Sequence, residues 1–347
     1  MFDKNLPQSA TIAEEFQLKI KKEHSKAKLI QYMPVVLLVV FIIALLIIAN
    51  FNLVNLKTIF SLLPTALIMA LGITFVIMMG SIDLSLEGVV ALSGAVFSLL
   101  VANQKNDIDL GFGGFLIGIL VGTVCGLVTG LLHVKGKIPS FMVTFGMTNI
   151  ASGLTLIVYG GSPANLTAAP EGSIGFAELG LLKFGPQDGF NIPATLIVAV
   201  IVFAIAYILQ NKTGFGRYVY AIGKNEGVLR GTGVNIDKTK IKVFMWSGFC
   251  FGVAGVLGAM MLGSGDLTVG DGKLFPAITA VVVGGTSLSG GTGGVMNTLV
   301  GVLIVVVLQT ALILLGVEST LQTAIQGALI VIAVALSVTR GSKVVTK

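Results

Sequence analysis

Charge is scarce in this chain: of 347 residues, only 11% are Asp, Glu, Lys or Arg, while 54% are hydrophobic. A water-soluble globule with so few charges could not cover its apolar surface. Cysteine is nearly absent as well. Cys125 and Cys250 both fall in apolar runs and lack the spacing of a metal site or the setting of a disulfide, so small packing residues are expected. The two histidines, His24 and His133, have no neighbouring Cys or carboxylate cluster, and neither a metal nor a cofactor is expected. There is no G-x-x-x-x-G-K-[ST], so the chain does not by that route bind and hydrolyse ATP. No G-x-S-x-G elbow occurs and no single apolar run holds paired acids, which argues against an enzyme inside a membrane.

What the chain has instead is long apolar runs, and its mean hydropathy is +0.97. About ten segments approach the ~20 residues that a helix needs to cross ~30 Å of hydrocarbon: 34–50, 59–80, 89–103, 112–134, 138–159, 192–210, 243–265, 276–289, 295–317 and 319–338. Their apolar residues are continuous and do not alternate, so the fold class is an all-α integral membrane protein and not a barrel. Two segments, 89–103 and 276–289, are short and lie beside glycine-rich breaks, which predicts one or more broken helices. The organisation is then a juxtamembrane leader (1–33), one transmembrane domain (34–338) with a large polar loop (211–242) and a long loop on the other side (160–191), and a tail (339–347).

The charges orient this arrangement. With all ten segments crossing, 22 basic residues divide so that only Lys57, Lys105, Lys183 and Lys273 lie on one side. The rest cluster on the other, which the positive-inside rule makes cytoplasmic, together with both termini. The net charge of +6 is thereby explained by topology, and nucleic acid is not needed as a partner. The polar leader precedes the first run, so no cleavable signal peptide is expected. Thr11 and Glu14 stand at capping-box spacing, and Lys19, Lys21, Lys22, Lys26 and Lys28 suit a helix against anionic lipid.

Glycine is abundant, with 45 residues, and most are expected to let helices approach closely. Two clusters differ. Gly80-Ser-Ile-Asp-Leu-Ser-Leu-Glu-Gly88 and Gly284-Gly-Thr-Ser-Leu-Ser-Gly-Gly-Thr-Gly293 form a weak internal repeat that shares a leading glycine and a Leu-Ser pair. Such segments suit helices broken within or near the membrane, where freed backbone groups and hydroxyls line a wet cavity. In that reading Asp83, Ser85, Thr286, Ser287 and Ser289 border a polar path for a solute, with Asp83 and Glu87 carrying most of the weight. The alternative is a short turn with solvated acids and a helix N-cap at Ser85. A third motif, Lys137 to Met147, places Pro139 in the first turn of a helix and Ser140 and Thr144 on one face, a second candidate for the path.

The loop 211–242 carries Lys212, Arg217, Lys224, Arg230, Lys238, Lys240 and Lys242, and a soluble partner would push there. Within it, Asn225 is placed to cap a short helix from Glu226 toward Arg230, which Gly231 and Gly233 would end.

Taken in order, Gly80-Ser-Ile-Asp-Leu-Ser, Ile138-Pro-Ser-Phe-Met-Val-Thr-Phe-Gly-Met, Lys212-Thr-Gly-Phe-Gly-Arg-Tyr-Val-Tyr-Ala-Ile-Gly-Lys-Asn-Glu, Gly233-Val-Asn-Ile-Asp and Val281-Val-Val-Gly-Gly-Thr-Ser-Leu-Ser-Gly-Gly resemble the permease subunit of bacterial ABC importers for simple sugars, the ribose, xylose and galactose group. The likeness runs from about Pro34 to the C-terminus. It implies a ten-span permease fold in the bacterial cytoplasmic membrane, moving a ribose-like monosaccharide by alternating access. It also implies four kinds of partner: an ABC ATPase, an extracytoplasmic solute-binding protein, a second permease copy (like or unlike) and membrane lipid. The loop 211–242 then resembles the coupling loop that docks on the ATPase, with Gly223, Lys224, Asn225, Glu226, Arg230 and Gly233 matching it. Two departures stand out: Gly227-Val-Leu-Arg230 replaces an alanine-rich stretch, and Lys273-Leu-Phe-Pro276-Ala replaces an acid and an Asp-Ala pair. Permeases for nucleosides, autoinducer sugars and branched-chain amino acids share the plan, since a fold does not choose its solute. A different class, an ion-coupled secondary transporter, would call for several buried acids or histidines.

Overall fold

Apolar runs of this length can satisfy their backbone in lipid only as helices, and helices are what they form. The computed structural model describes residues 53–167, 183–184, 192–318 and 320–328, with Val39 and Val331 as isolated positions. The leader, the first expected span at 34–50, most of the loop 160–191 and the tail 339–347 lie outside the described residues. In chain order the helices are α1 (Leu53–Met78), α2 (Leu86–Leu100), α3 (Phe112–Lys135), α4 (Ser140–Tyr159), α5 (Ala194–Lys212), α6 (Gly214–Arg230), α7 (Ile236–Leu262), α8 (Leu274–Val283) and α9 (Val295–Leu314). Six of these nine, namely α1, α3, α4, α5, α7 and α9, are long and apolar enough to cross a membrane. The expected last span is described in part, as a helical stretch at 320–328. The only strands among the described residues are two-residue fragments, of which Ala164–Asn165 pairs antiparallel with Ser264–Gly265.

Two expectations are corrected at the element ends. The helix expected at 243–265 starts at Ile236, because Asn235 caps it by accepting from the Lys238 backbone N–H at 2.9 Å. The run expected to be helical to 289 stops at Val283. Beyond it Gly285, Gly290, Gly291, Gly293 and Gly294 all take positive φ, which no helix accommodates.

The core lies between α7 and α1, whose most apolar windows are 83% and 72% buried, against 28%, 28% and 22% for α3, α4 and α5. α3 shows how the packing is encoded. Gly114, Gly118, Gly122, Gly126 and Gly130 recur every fourth residue and are all buried, so one helix face has no side chains. α7 answers with Gly248 and Gly252, and a Cβ on Gly122 would sit 2.6 Å from the Gly252 Cα. The two backbones touch directly, as small-residue faces allow in a membrane where no hydrophobic force drives helices together. On the far side of the core the hydroxyls of Thr74 on α1 and Thr298 on α9 share a 2.7 Å hydrogen bond, and the Trp246 Nε1–H of α7 donates to the Leu71 carbonyl at 3.2 Å.

Candidate functional site

The chain leaves α1 at Met78 and does not return to helix until Leu86. Between them Gly80 takes φ 79°, and Ile82 to Leu84 lie outside the hydrogen bonding of both helices, so their backbone groups need other partners. α4 supplies them from hydroxyls spaced by four. The Ser140 Oγ accepts from the Ile82 N–H at 3.3 Å, Thr144 Oγ1 approaches the Ile82 carbonyl at 3.5 Å, and Thr148 Oγ1 donates to the Leu84 carbonyl.

Asp83 points from this segment into the core and is 2% exposed. Its Oδ1 accepts from the Ser85 N–H at 2.9 Å and the Ser85 Oγ at 2.6 Å, while Oδ2 accepts from Ser247 on α7 at 2.7 Å. The turn with solvated acids is therefore not what forms at Asp83. Ser85 does occupy the N-cap of α2, but its hydroxyl makes no capping bond because it is spent on Asp83. Four of the seven residues expected along a solute path, Asp83, Ser85, Ser140 and Thr144, thus come together around one broken segment.

The other three sit in the 284–294 loop. Thr286 is buried, and its Oγ1 accepts from the Gly294 N–H at 3.2 Å. Ser287 and Ser289 bond each other through their hydroxyls at 2.8 Å. This loop packs on the broken segment: a Cβ on Gly80 would meet the Ser289 carbonyl oxygen at 3.4 Å, and the Gly291 N–H donates to the Met78 carbonyl at 2.9 Å.

The polar stretch 211–242 is mostly helical, which its length of charge had concealed. α6 occupies Gly214–Arg230 and breaks at Asn225, whose φ and ψ are −165° and 98°. As its position predicts, the Asn225 Oδ1 accepts from the Val228 N–H at 3.1 Å, capping a short terminal helix. Gly231 closes that helix through bonds to Leu229 and Val228, and Gly233 follows at φ 78°. Glu226 holds Arg230 and Lys240 of α7, each at 2.9 Å. Partial burial pushes the Glu226 carboxyl upward, but the hydrogen bonds and charges of Lys240 and Arg230 outweigh it and keep it below the usual carboxylate range.

α6 seats on the two loops just described. A Cβ at Gly223 would fall on the Met78 carbonyl oxygen and on the Gly291 N, and the Tyr220 hydroxyl donates to the Gly293 carbonyl. Lys224, Asn225, Arg230 and Gly233 stay exposed, leaving the kinked end of α6 open to a partner.

A cavity of about 600 Å³ opens beyond the broken segment. Thr65 and Met69 of α1, Pro276 and Ala280 of α8, Val305 and Gln309 of α9, and Thr320, Gln322 and Gln326 wall it, with Asp271, Gly272 and Lys273 at one edge. None of the seven expected path residues lines it. The loop that brings Asp271 there descends along α2: Gly265 lies against Gly94, and Gly270 against the Glu87 carbonyl, a drop of roughly 10 Å over seven helical residues. Glu87 pins the arrangement by accepting from the Leu274 N–H at 3.2 Å. Sequence reasoning missed the cavity. Its signal was nonetheless present in Gln309, Thr320, Gln322 and Gln326, polar residues inside expected spans, which in a membrane face the protein interior or water.

Residues 55–334 match a family of permease components described as the branched-chain amino acid transport system / permease component. The chain is 35% identical over 286 residues to the ribose import permease protein RbsC of Escherichia coli (strain K12), covering 82% of this chain and 85% of the relative. It is 38% identical over 269 residues to the ribose import permease protein RbsC of Bacillus subtilis (strain 168), covering 78% and 80%. With the D-allose transport system permease protein AlsC of Escherichia coli (strain K12) it shares 30% over 282 residues, covering 81% and 82%. No solved structure matches.

Proposed function

The chain belongs to the branched-chain amino acid transport system permease family, a multi-pass membrane transport subunit and not an enzyme, and on that premise we propose that it carries a ribose-like monosaccharide inward under the drive of a separate ABC ATPase. Relatives named for ribose import and for D-allose transport support the solute class. The observation that carries the reading is the cavity: hydroxyls and amides from Thr65, Gln309, Thr320, Gln322 and Gln326 inside an otherwise apolar bundle are the groups that bind a neutral polyol. A few placed polar groups in a largely apolar pocket are what fixes a small ligand.

The remaining parts fit around that cavity. The whole of 34–338 is one transmembrane unit, with the end that bears α6 facing the cytoplasm together with both chain termini. The ATPase docks on the exposed Lys224, Asn225 and Arg230, with Gly223, Glu226 and Gly233 shaping the helix that it grips. A binding protein delivers the sugar on the opposite face, and a second permease copy completes the path. Motion passes from α6 to the 284–294 loop and the broken segment, and from there through Asp83, Ser85, Ser140 and Thr144 to α2, where Glu87 holds the cavity loop. These are contiguous contacts between elements that can repack as units, the physical requirement for such coupling. Thr286, Ser287 and Ser289 belong to that relay, on the cytoplasmic side of the path.

Ion coupling is the weaker reading because Asp83 is the only fully buried acid among the described residues. Its two oxygens already accept three hydrogen bonds, which leaves it poorly placed to pick up and release a proton.

The test is substitution within the cavity. Replacing Gln309 and Gln326 by leucine keeps size and removes both amides, and each lost hydrogen bond to a sugar hydroxyl costs about 1 kcal/mol. ATP-driven uptake by the double variant is expected to need about thirtyfold more sugar for half-maximal rate. Unchanged sugar dependence would sink the assignment of the cavity.

A further inference from the structure

A second cavity, of about 370 Å³, lies at the corner between α3 and α4, with His133, Lys137 and Pro139 on one side and Arg230, Asp237 and Lys240 on the other. It is built and not incidental. Lys137 is the one non-glycine among the described residues with positive φ, at 53°, a conformation that costs energy and persists only where the surroundings impose it. His133 is fixed too. Its Nδ1 lies 2.7 Å from the Ile138 carbonyl, which can only accept, so Nδ1 donates there, and it is as the imidazolium that Nε2 also has a hydrogen to donate to an anion. The ring packs edge-on against Phe244 at 5.5 Å.

Charge and apolar surface meet at this corner. Lys137, Arg230 and Lys240 outnumber the carboxylates of Glu226, which pairs with two of them, and Asp237. On the turns of α3 that lead to His133, Val124, Val128 and Leu132 form an exposed stripe at i, i+4 spacing, and in the first turns of α4 Phe141 and Phe145 form another. α3 packs chiefly along α7 and α4 along α2, which α3 also meets, while α3 and α4 touch each other over a much smaller surface, so the faces they turn outward are not filled by each other. A ligand that fits carries a phosphate at one end and two apolar chains at the other.

We propose that this corner is a specific seat for an anionic membrane phospholipid, its phosphate held by Lys137 and His133 with Arg230 and Lys240 behind, and its acyl chains lying along α3 and α4. Basic pockets between transmembrane helices bind such headgroups. The seat adjoins the Glu226 ion pairs of α6, so its occupant touches the element assigned to ATPase docking, but its existence does not rest on the direction or the solute of transport.

The experiment uses the full chain purified into mild detergent, incubated with equal phosphatidylglycerol and phosphatidylcholine, with retained lipids counted by native mass spectrometry. Wild type is expected to retain phosphatidylglycerol over phosphatidylcholine by about tenfold. The variant His133→Gln, Lys137→Asn should lose about fivefold or more of that preference, since each basic group near a headgroup contributes ~1 kcal/mol. Asn tolerates the left-handed backbone, so the corner still folds, and an unchanged melting temperature verifies it. Lys57→Gln, near the start of α1 and outside this corner, should retain the wild-type preference. No preference in wild type, the same preference in the double variant, or an equal loss in Lys57→Gln would each overturn the seat. Displacement of phosphatidylglycerol by millimolar inorganic phosphate would overturn the lipid assignment in favour of a free anion.

Discussion

Gly223→Val is expected to abolish ATP-driven uptake while leaving the chain inserted and folded. The position is constrained by backbone on two sides: an added Cβ would meet the Met78 carbonyl oxygen, the Gly291 N and, at 3.1 Å, the Gly290 carbonyl carbon. None of these is the flexible end of a side chain, so α6 must lift from its seat, and overpacking of this kind costs about 1–3 kcal/mol or more. The bundle itself is held elsewhere, by the glycine faces of α3 and α7 and by the pairing of α1 with α9, and should survive. Uptake in vesicles should fall to background while the melting temperature drops by only a few degrees. Gly227→Ala, two residues past the kink, provides the contrast. Its Cβ would meet only the Asn225 Oδ1 at 3.3 Å, and uptake should stay near wild type. Wild-type uptake by Gly223→Val would show that the seat of α6 is not the coupling joint.

Asp83→Ala carries the second large expectation, in stability. Removing the carboxylate leaves the Ser85 N–H, the Ser85 hydroxyl and the Ser247 hydroxyl without their acceptor, in a place where water does not reach. Each orphaned donor costs about 1–3 kcal/mol, so a loss of about 3 kcal/mol or more is expected even if one hydroxyl rotates to a new partner. That is a large share of a marginal total. Little folded protein should be recovered from the membrane, measured as the monodisperse fraction after extraction. Asp83→Asn keeps the shape and one accepting oxygen, and it should restore most of both yield and uptake. Full yield with no uptake in Asp83→Asn would instead make the charge itself part of transport, closer to the solute-path role the sequence suggested.

The contrast between these two residues shows what was legible before the structure. Asp83 could be singled out because an acid between two apolar runs is conspicuous, yet sequence spacing does not reveal Ser247, which lies 164 residues away. The bend at Asn225 and its cap were readable, since an N-cap acts on a residue three positions later. That most of 211–242 is helix was not, because charge on a solvated helix resembles charge on a loop. Ser140 and Thr144 were identified as a face, but the use of that face, satisfying the backbone at Ile82, depends on tertiary approach. The cavity was hidden for a related reason: Thr65, Gln309 and Gln326 belong to separate runs that meet only when α1 and α9 pack. Lys273 marks the same limit. It stood out as a departure from the sugar-permease pattern, and only the descent of its loop along α2 brings it to the cavity edge.

The most direct test of the account is transport in sealed vesicles holding this chain, the ATPase and the binding protein from its own membrane, with ATP inside or outside and a panel of pentoses and hexoses. Sugar should accumulate only when ATP reaches the face that bears α6 and the loaded binding protein is on the other, with no response to proton or sodium gradients. Accumulation driven by an ion gradient in vesicles holding this chain alone would contradict it.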